Sequence, residues 1–209
     1  MSGDFAQLLS RIAEEAEKKT GGALVVAIDG RAAAGKSSLA ASLGTRLGLD
    51  PIHMDDFFLP EDLRTEDRLR EPGGNVHYER FAAEVLPLLP TEDAFSYRRF
   101  DCRRMDYGLP IFVRAGRIRL VEGAYSLHPY YGDYADLKIF YDIDPVLQAK
   151  RIRKRNGPEG LERFKTRWIP MEENYLANCR THPHADLVLY ARDCPAWTGE
   201  YRDEMRLVP

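Results

Sequence analysis

Gly30–Ser38 reads GRAAAGKSS. The stretch lies between an apolar run, ALVVAID at 23–29, and a small-residue segment, LAASLGTRLG at 39–48. Three adjacent alanines favour a helix, but the flanking glycines oppose one, and Lys36 has no acidic neighbour in sequence. Gly30, Gly35, Lys36 and Ser37 match the spacing G-x-x-x-x-G-K-[ST]. That spacing carries meaning only between a buried strand and a helix. Ala23–Asp29 is a short apolar run without alternation, as expected of a strand covered on both faces, and Lys36–Leu47 reads as a helix.

The pattern therefore predicts a loop for phosphate. Glycines and small side chains let backbone N–H groups curl around an anion, and the helix beginning near Lys36 adds its own unpaired amides and dipole. Lys36 supplies a charge for the β- and γ-phosphates, and the Ser37 hydroxyl can ligate Mg²⁺. The predicted nucleotide contacts are Gly30, Ala33, Ala34, Gly35, Lys36, Ser37 and Ser38, with ATP and Mg²⁺ as the implied ligands.

The rest of the chain limits what such a loop serves. With 209 residues there is room for one domain with a substantial core, here expected to be a single P-loop domain over 1–209 with a small lid around 151–165. A formal net charge of −3 gives no reason to expect nucleic acid or an anionic membrane as partner. Cys102, Cys179 and Cys194 are far apart and odd in number, which suggests neither a disulfide framework nor a thiolate metal site. The amphipathic opening DFAQLLSRIAEEAEKK resembles neither a secretory signal nor a membrane span, so a cytoplasmic location is expected. A small-molecule substrate is the expected partner, and a homo-oligomer stays open.

Apolar residues at helical spacing over Phe5–Ala16 predict a first helix, ended by Gly21-Gly22. Further strands are expected at Pro51–Met54, Arg117–Val121, Leu137–Ile143 and Asp186–Tyr190. Helices are expected at Tyr78–Leu89, after Asp144-Pro145, and over Phe164–Arg180 with an interruption near Pro170. Phe95–Phe100 and Ile111–Val113 suggest a hairpin, and NGPEG at 156–160 reads as a mobile loop. Strands alternating with helices predict an α/β fold, a doubly wound parallel sheet around the P-loop.

Two further elements bear on chemistry. Glu122 ends a predicted strand, where open sheets gather ligands, and can help hold Mg²⁺ through water. HMDDFFLPED at 53–62 follows the second strand. One of its carboxylates can orient an acceptor hydroxyl and take its proton, while Phe57 and Phe58 offer packing for a ring. Alternation along the chain lets one aspartate, Asp55 or Asp56, face a cleft. In KRIRKR, Arg151 and Arg155 share a helical face, where their repulsion calls for a bound anion, a solvated face, or contact with Asp142 and Asp144.

IDGRAAAGKSS, MDDFF, GGNVHYERF, VEGAYSLH and DIDPVLQAKRIRKR, taken in order, resemble the uridine kinase-like branch of P-loop nucleoside kinases over Leu24–Arg155. The resemblance implies transfer of a phosphoryl group from ATP to the 5′-hydroxyl of a ribonucleoside such as uridine or cytidine. It gives Asp55 to that hydroxyl, Glu122 to the metal, and Arg151 and Arg155, with Lys36, to the transferring phosphoryl group. Phe58, Tyr97 and Arg104 fall at the acceptor positions. Phe58 replaces the usual tyrosine, Cys102 falls where a base-reading histidine is expected, and NGPEGLER replaces a Glu-Arg-Gly-Arg stretch. Such departures leave room for nicotinamide riboside, pantothenate or a sugar acid as acceptor, or for a sensor that binds nucleotide without turnover.

Other signals have plainer explanations. His182-Pro-His184 reads as an exposed turn and not a metal site. His53 and His128 read as structural histidines beside the cleft, and Trp168-Ile-Pro-Met-Glu as helix packing with a kink.

Overall fold

A computed structural model of the chain describes residues 3–102, 104–192 and 205–208; Cys194 lies outside them. The amphipathic opening forms α1 (Gly3–Lys18), which buries Phe5, Leu8 and Ile12. The apolar run forms β1 (Leu24–Gly30), with all seven residues buried. The phosphate-loop pattern joins it to α2 (Lys36–Leu47), and β2 (Ile52–His53) follows, ending in a single 3-10 turn, Met54–Phe57.

A short helix the sequence had not suggested, α3 (Glu66–Arg70), precedes α4 (Tyr78–Glu84). The expected hairpin is longer than its apolar residues indicated, pairing β3 (Phe95–Asp101) with β4 (Asp106–Val113). Then come β5 (Ile118–Glu122), β6 (Leu137–Asp142), α5 (Pro145–Arg163), a π-helical turn at Phe164–Trp168, α6 (Ile169–Cys179), β7 (Leu187–Ala191) and β8 (Met205–Val208).

The main sheet runs β2-β5-β1-β6-β7-β8. Its first five strands are parallel and β8 closes one edge antiparallel, so the expected α/β doubly wound sheet is present. Both faces are covered. Leu24, Val26 and Ile28 of β1 pack with α1 and α2, while Val25 joins Phe57, Phe81, Val121 and Tyr175 on the other face. The 2.0-residue period of a strand thus feeds two cores, which explains an apolar run without alternation.

Two expectations change. NGPEG is not a loop, because α5 continues through it to Arg163 with a single break at Gly157 (φ 72°, ψ 178°). Pro158 restarts the helix there, since its fixed φ and missing N–H suit a first helical turn. At Pro170 the chain does not interrupt the helix. The π turn directly before it accommodates the proline, which starts α6.

Among the described residues, no helix is long and apolar enough to cross a membrane.

Candidate active site

The carboxyl ends of β1, β2, β5 and β6 open on one side of the sheet, the usual place for ligands in such a fold. There the chain encloses a cavity of about 780 Å³. The phosphate loop, the turn after β2, the end of β5, and the segment from Arg151 to Glu172 form its walls.

The loop is held by its own lysine. Lys36 is buried, and its Nζ donates to the carbonyls of Gly30 at 2.7 Å and Arg31 at 2.9 Å. Gly30 has φ 134°, and a Cβ on it would stand 2.0 Å from the carbonyl oxygen of Tyr141 in β6, so no side chain fits. Ala33 takes a left-handed φ of 62°, local strain of the kind that collects at binding loops. Protein groups also fix the loop from outside. Arg151 donates to the carbonyls of Ala33 and Ala34 at 3.1 and 2.9 Å. Ala32 N–H donates to Glu172 at 2.5 Å, and Arg31 pairs with Glu173 and Asp142.

Below the loop lies a carboxylate that sequence reasoning left unassigned. Asp29 is fully buried and accepts from Gly30 N–H, Tyr125 N–H, Leu127 N–H and the Tyr175 hydroxyl. Burial pushes its carboxyl up, and the Tyr175, Leu127 and Gly30 donors, with the Lys36 charge, pull it only partly back. It ties β1 to the turn after β5 and to α6. The one available signal was an aspartate inside an otherwise apolar run.

Ser37 and Glu122 meet at the predicted metal position. The Ser37 hydroxyl lies 3.4 Å from Glu122 Oε2, and His53 Nδ1 is 2.5 Å from Glu122 Oε1. Register explains the second contact, because His53 and Glu122 are paired across β2 and β5. Glu122 is buried and does not cap a surface turn. The bond to Glu122 holds His53 above its ordinary value of 6.5, against the effect of its partial burial. One hydroxyl and one carboxylate, with phosphate oxygens and water to complete the shell, suit a hard, largely hydrated cation. No cluster of three or more His, Cys, Asp or Glu side chains that could hold a metal occurs among the described residues.

The two adjacent aspartates part company. Asp55 lines the cavity, and the surrounding protein raises its carboxyl above 3.8, reinforced by the Glu122 carboxylate. Asp56 points the other way, is buried, and accepts from the Tyr97 hydroxyl at 2.8 Å, with Arg99 at 3.5 Å.

No family model matches the sequence, and no curated protein matches it closely enough to count. Solved structures do match in shape. A possible uridine kinase from Bacillus stearothermophilus superposes with a TM-score of 0.62 at 20% identity, covering 87% of this chain and 98% of that one. A putative fructose transport system kinase from Silicibacter sp. TM1040 gives 0.64 at 24% identity, covering 88% and 96%. The chain shares the α/β fold of these kinase structures, with five parallel strands and flanking helices.

Most residues predicted for the site within that fold come together. Ala33, Gly35, Lys36, Ser37, Ser38, Asp55, Phe58, Glu122, Arg151 and Arg155 all line the cavity. Gly30, Ala34, Tyr97 and Arg104 do not, the first two being buried within the loop itself. Tyr97 is buried against Phe57, with ring centroids 5.2 Å apart, and Arg104 is exposed at the tip of the hairpin. Asp142 and Asp144, the other candidates for the basic helix, hold Arg31 and cap α5 respectively.

His53 and His128 are structural, as expected. The His128 ring meets the Pro72 carbonyl and accepts from Tyr130 N–H. Residues 181–184 form a turn. Trp168 departs from expectation, since the π turn carries both it and Phe164 to the cavity wall. Arg64, Asn75 and Glu172 also line the cavity and were missed: Arg64 belongs to no motif, while Asn75 in GGNVHYERF and Glu172 at the end of WIPME were given no role of their own.

Proposed function

We propose that this protein is an ATP-dependent kinase that phosphorylates a hydroxyl group of a small molecule. The observation that carries this reading is the convergence of three elements in one cavity: the phosphate loop with Lys36, the Ser37–Glu122 pair, and Asp55. A nucleotide-binding site needs only the first two. An inward carboxylate beside them has a use when a second substrate brings a hydroxyl.

In this reading the loop amides and Lys36 hold the triphosphate. Ser37 and Glu122 hold Mg²⁺, which neutralises charge on the phosphates when bound. Lys36 gives up the carbonyls of Gly30 and Arg31 for phosphate oxygens. Asp55 accepts the proton of the acceptor hydroxyl as its oxygen bonds to the γ-phosphorus, and the bond from that phosphorus to the β-bridging oxygen breaks to release ADP. Arg155 has no ion pair among the described residues and reaches the same cavity, available to the charge that builds on the phosphoryl group. The segment from Arg151 to Trp168 acts as the lid, excluding water so that the hydroxyl is the nucleophile.

A ribonucleoside such as uridine or cytidine is the acceptor that the sequence resemblance implies, and Phe58 in the wall offers its base a face to stack on. Tyr97 and Arg104, the other two residues assigned to it, stand outside the cavity.

The test is ADP release from ATP·Mg²⁺ with a panel of nucleosides, vitamins and sugar acids, using Lys36→Met as blank. Acceptor-dependent ADP release that is absent in the variant supports the kinase. ATP bound without turnover against every acceptor overturns it in favour of a nucleotide sensor.

A further inference from the structure

One stretch of the cavity wall, linked through Leu59 and Val76, carries Phe58, Arg64, Asn75 and Cys102. Two of these side chains hold unused hydrogen-bonding capacity in a walled site. Asn75 is 5% exposed, lines the cavity, and its amide has no hydrogen-bond partner among the described residues. Its amide atoms are not sealed off but open on the cavity, where water or a ligand can meet them.

Its position is fixed by the backbone around it. Leu59 N–H donates to the Asn75 carbonyl, Val76 bridges to Phe58, and Gly74 passes so close to the Arg68 carbonyl that a Cβ would stand 1.8 Å from it. The amide is therefore presented on a rigid turn.

Arg64 is the second. Its Nε donates to the Leu59 carbonyl at 2.8 Å and one Nη lies 3.7 Å from Cys102 Sγ, which together orient the guanidinium. It forms no ion pair among the described residues. Guanidinium can only donate, and stays charged at any physiological pH. The remaining donors thus face the cavity with no carboxylate to meet them. Cys102, which stands where a base-reading histidine was expected, serves here to hold Arg64.

A neutral sugar diol is best met by acceptors such as carboxylates, and these four side chains include none. They supply a fixed cation and a neutral amide, the donor set for an oxyanion.

We propose that the acceptor is a small hydroxylated anion, its carboxylate or phosphate held by Arg64 and Asn75 while its hydroxyl meets Asp55. This rests on the kinase reading for the hydroxyl, but the anion site stands on its own residues.

The test compares matched acceptors: glycerol, D-glycerate and glycerol 3-phosphate; glucose, D-gluconate and glucose 6-phosphate; and uridine as a neutral ring. Binding at millimolar concentration is followed by the arginine side-chain ¹⁵N resonances of the ADP·Mg²⁺-loaded protein, and turnover by ADP release. The expected result is that anions move the Arg64 signal while their neutral partners do not. The carboxylate and phosphate arms then separate the two sources of charge.

Arg64→Gln should weaken the bound anion about ten- to a hundredfold, and Arg64→Lys should recover part of that. Where turnover is seen, the loss falls on KM more than on kcat. A neutral acceptor that binds as well as its anionic partner, an anion bound equally well by Arg64→Gln, or no response to any anion overturns the inference. An anion that binds through Arg64 but is never phosphorylated keeps the anion site and overturns the kinase.

Discussion

Tyr97 donates its hydroxyl to Asp56 at 2.8 Å, and this bond decides which aspartate of MDDFF is left for chemistry. Asp56 is buried and bound on the far side of the turn, so Asp55 alone faces the cavity. Tyr97→Phe removes a donor from a buried carboxylate, for a loss of about 1–3 kcal/mol of stability. Acceptor and nucleotide KM should be unchanged in the same variant. Chemical denaturation and steady-state kinetics together check this, and a raised acceptor KM with unaltered stability would return Tyr97 to the substrate site.

Asp55→Asn keeps the size of the side chain and removes its ability to take a proton. Turnover should fall by about 10²–10⁴-fold while nucleotide affinity, measured by calorimetry, stays near that of the wild type. Desolvation by the cavity walls, with the Glu122 carboxylate nearby, raises the Asp55 carboxyl above 3.8 although the residue stays open to the cavity. A base must be ionised to work, so kcat/KM should decline as pH falls through that raised value, and the decline should sit higher than for an ordinary aspartate. Wild-type turnover in Asp55→Asn would sink the assignment.

The His53–Glu122 contact predicts a pH-dependent stability. Its bond to Glu122 raises the His53 pKa above 6.5 in the folded chain. The stability it adds is therefore fully present below 6.5, the unfolded value, and is lost as pH rises through the higher folded value. Comparing melting temperatures of wild type and His53→Gln across this range should show a gap that is widest in mild acid and closes in mild alkali. A gap independent of pH would mean that the imidazole packs there uncharged.

Much of this arrangement was legible because its residues obey local rules. A glycine-lysine loop needs a buried strand before it and a helix after it, and apolar runs without alternation marked the strands. Glu122 and Asp55 were found because each ends or follows such a strand. What stayed hidden depends on contacts distant in sequence. Asp29 receives donors from Tyr125, Leu127 and Tyr175, none of which a linear reading pairs with it. Tyr97 was assigned to substrate because its bond to Asp56 spans 41 residues. Trp168 was read as packing because a π turn, which has no sequence rule of comparable strength, carries it to the wall. Gly157-Pro158 looked like a loop because the same two residues that start loops also serve to restart a helix.

Glu172 shows how α6 braces the loop at 30–38 without belonging to it. Its Oε2 accepts from Ala32 N–H at 2.5 Å, its Oε1 from Gln148 Nε2 at 3.0 Å, and the same Gln148 nitrogen reaches the Ala32 carbonyl at 3.1 Å. Both polar groups of Ala32 are thus held by side chains from α5 and α6. Glu172→Ala leaves the Ala32 N–H unpaired and takes one of the two acceptors from Gln148 Nε2, which loosens the loop before any phosphate arrives. The expected result is a lower melting temperature and an ATP affinity about tenfold weaker. Glu172→Gln still offers an oxygen to Ala32 N–H and should recover most of both. The two variants separate anchoring from charge. If Gln is as damaged as Ala, the negative charge itself matters, through Lys36, which shares the cavity wall with Glu172. If both bind ATP as tightly as wild type, the loop holds its shape unaided.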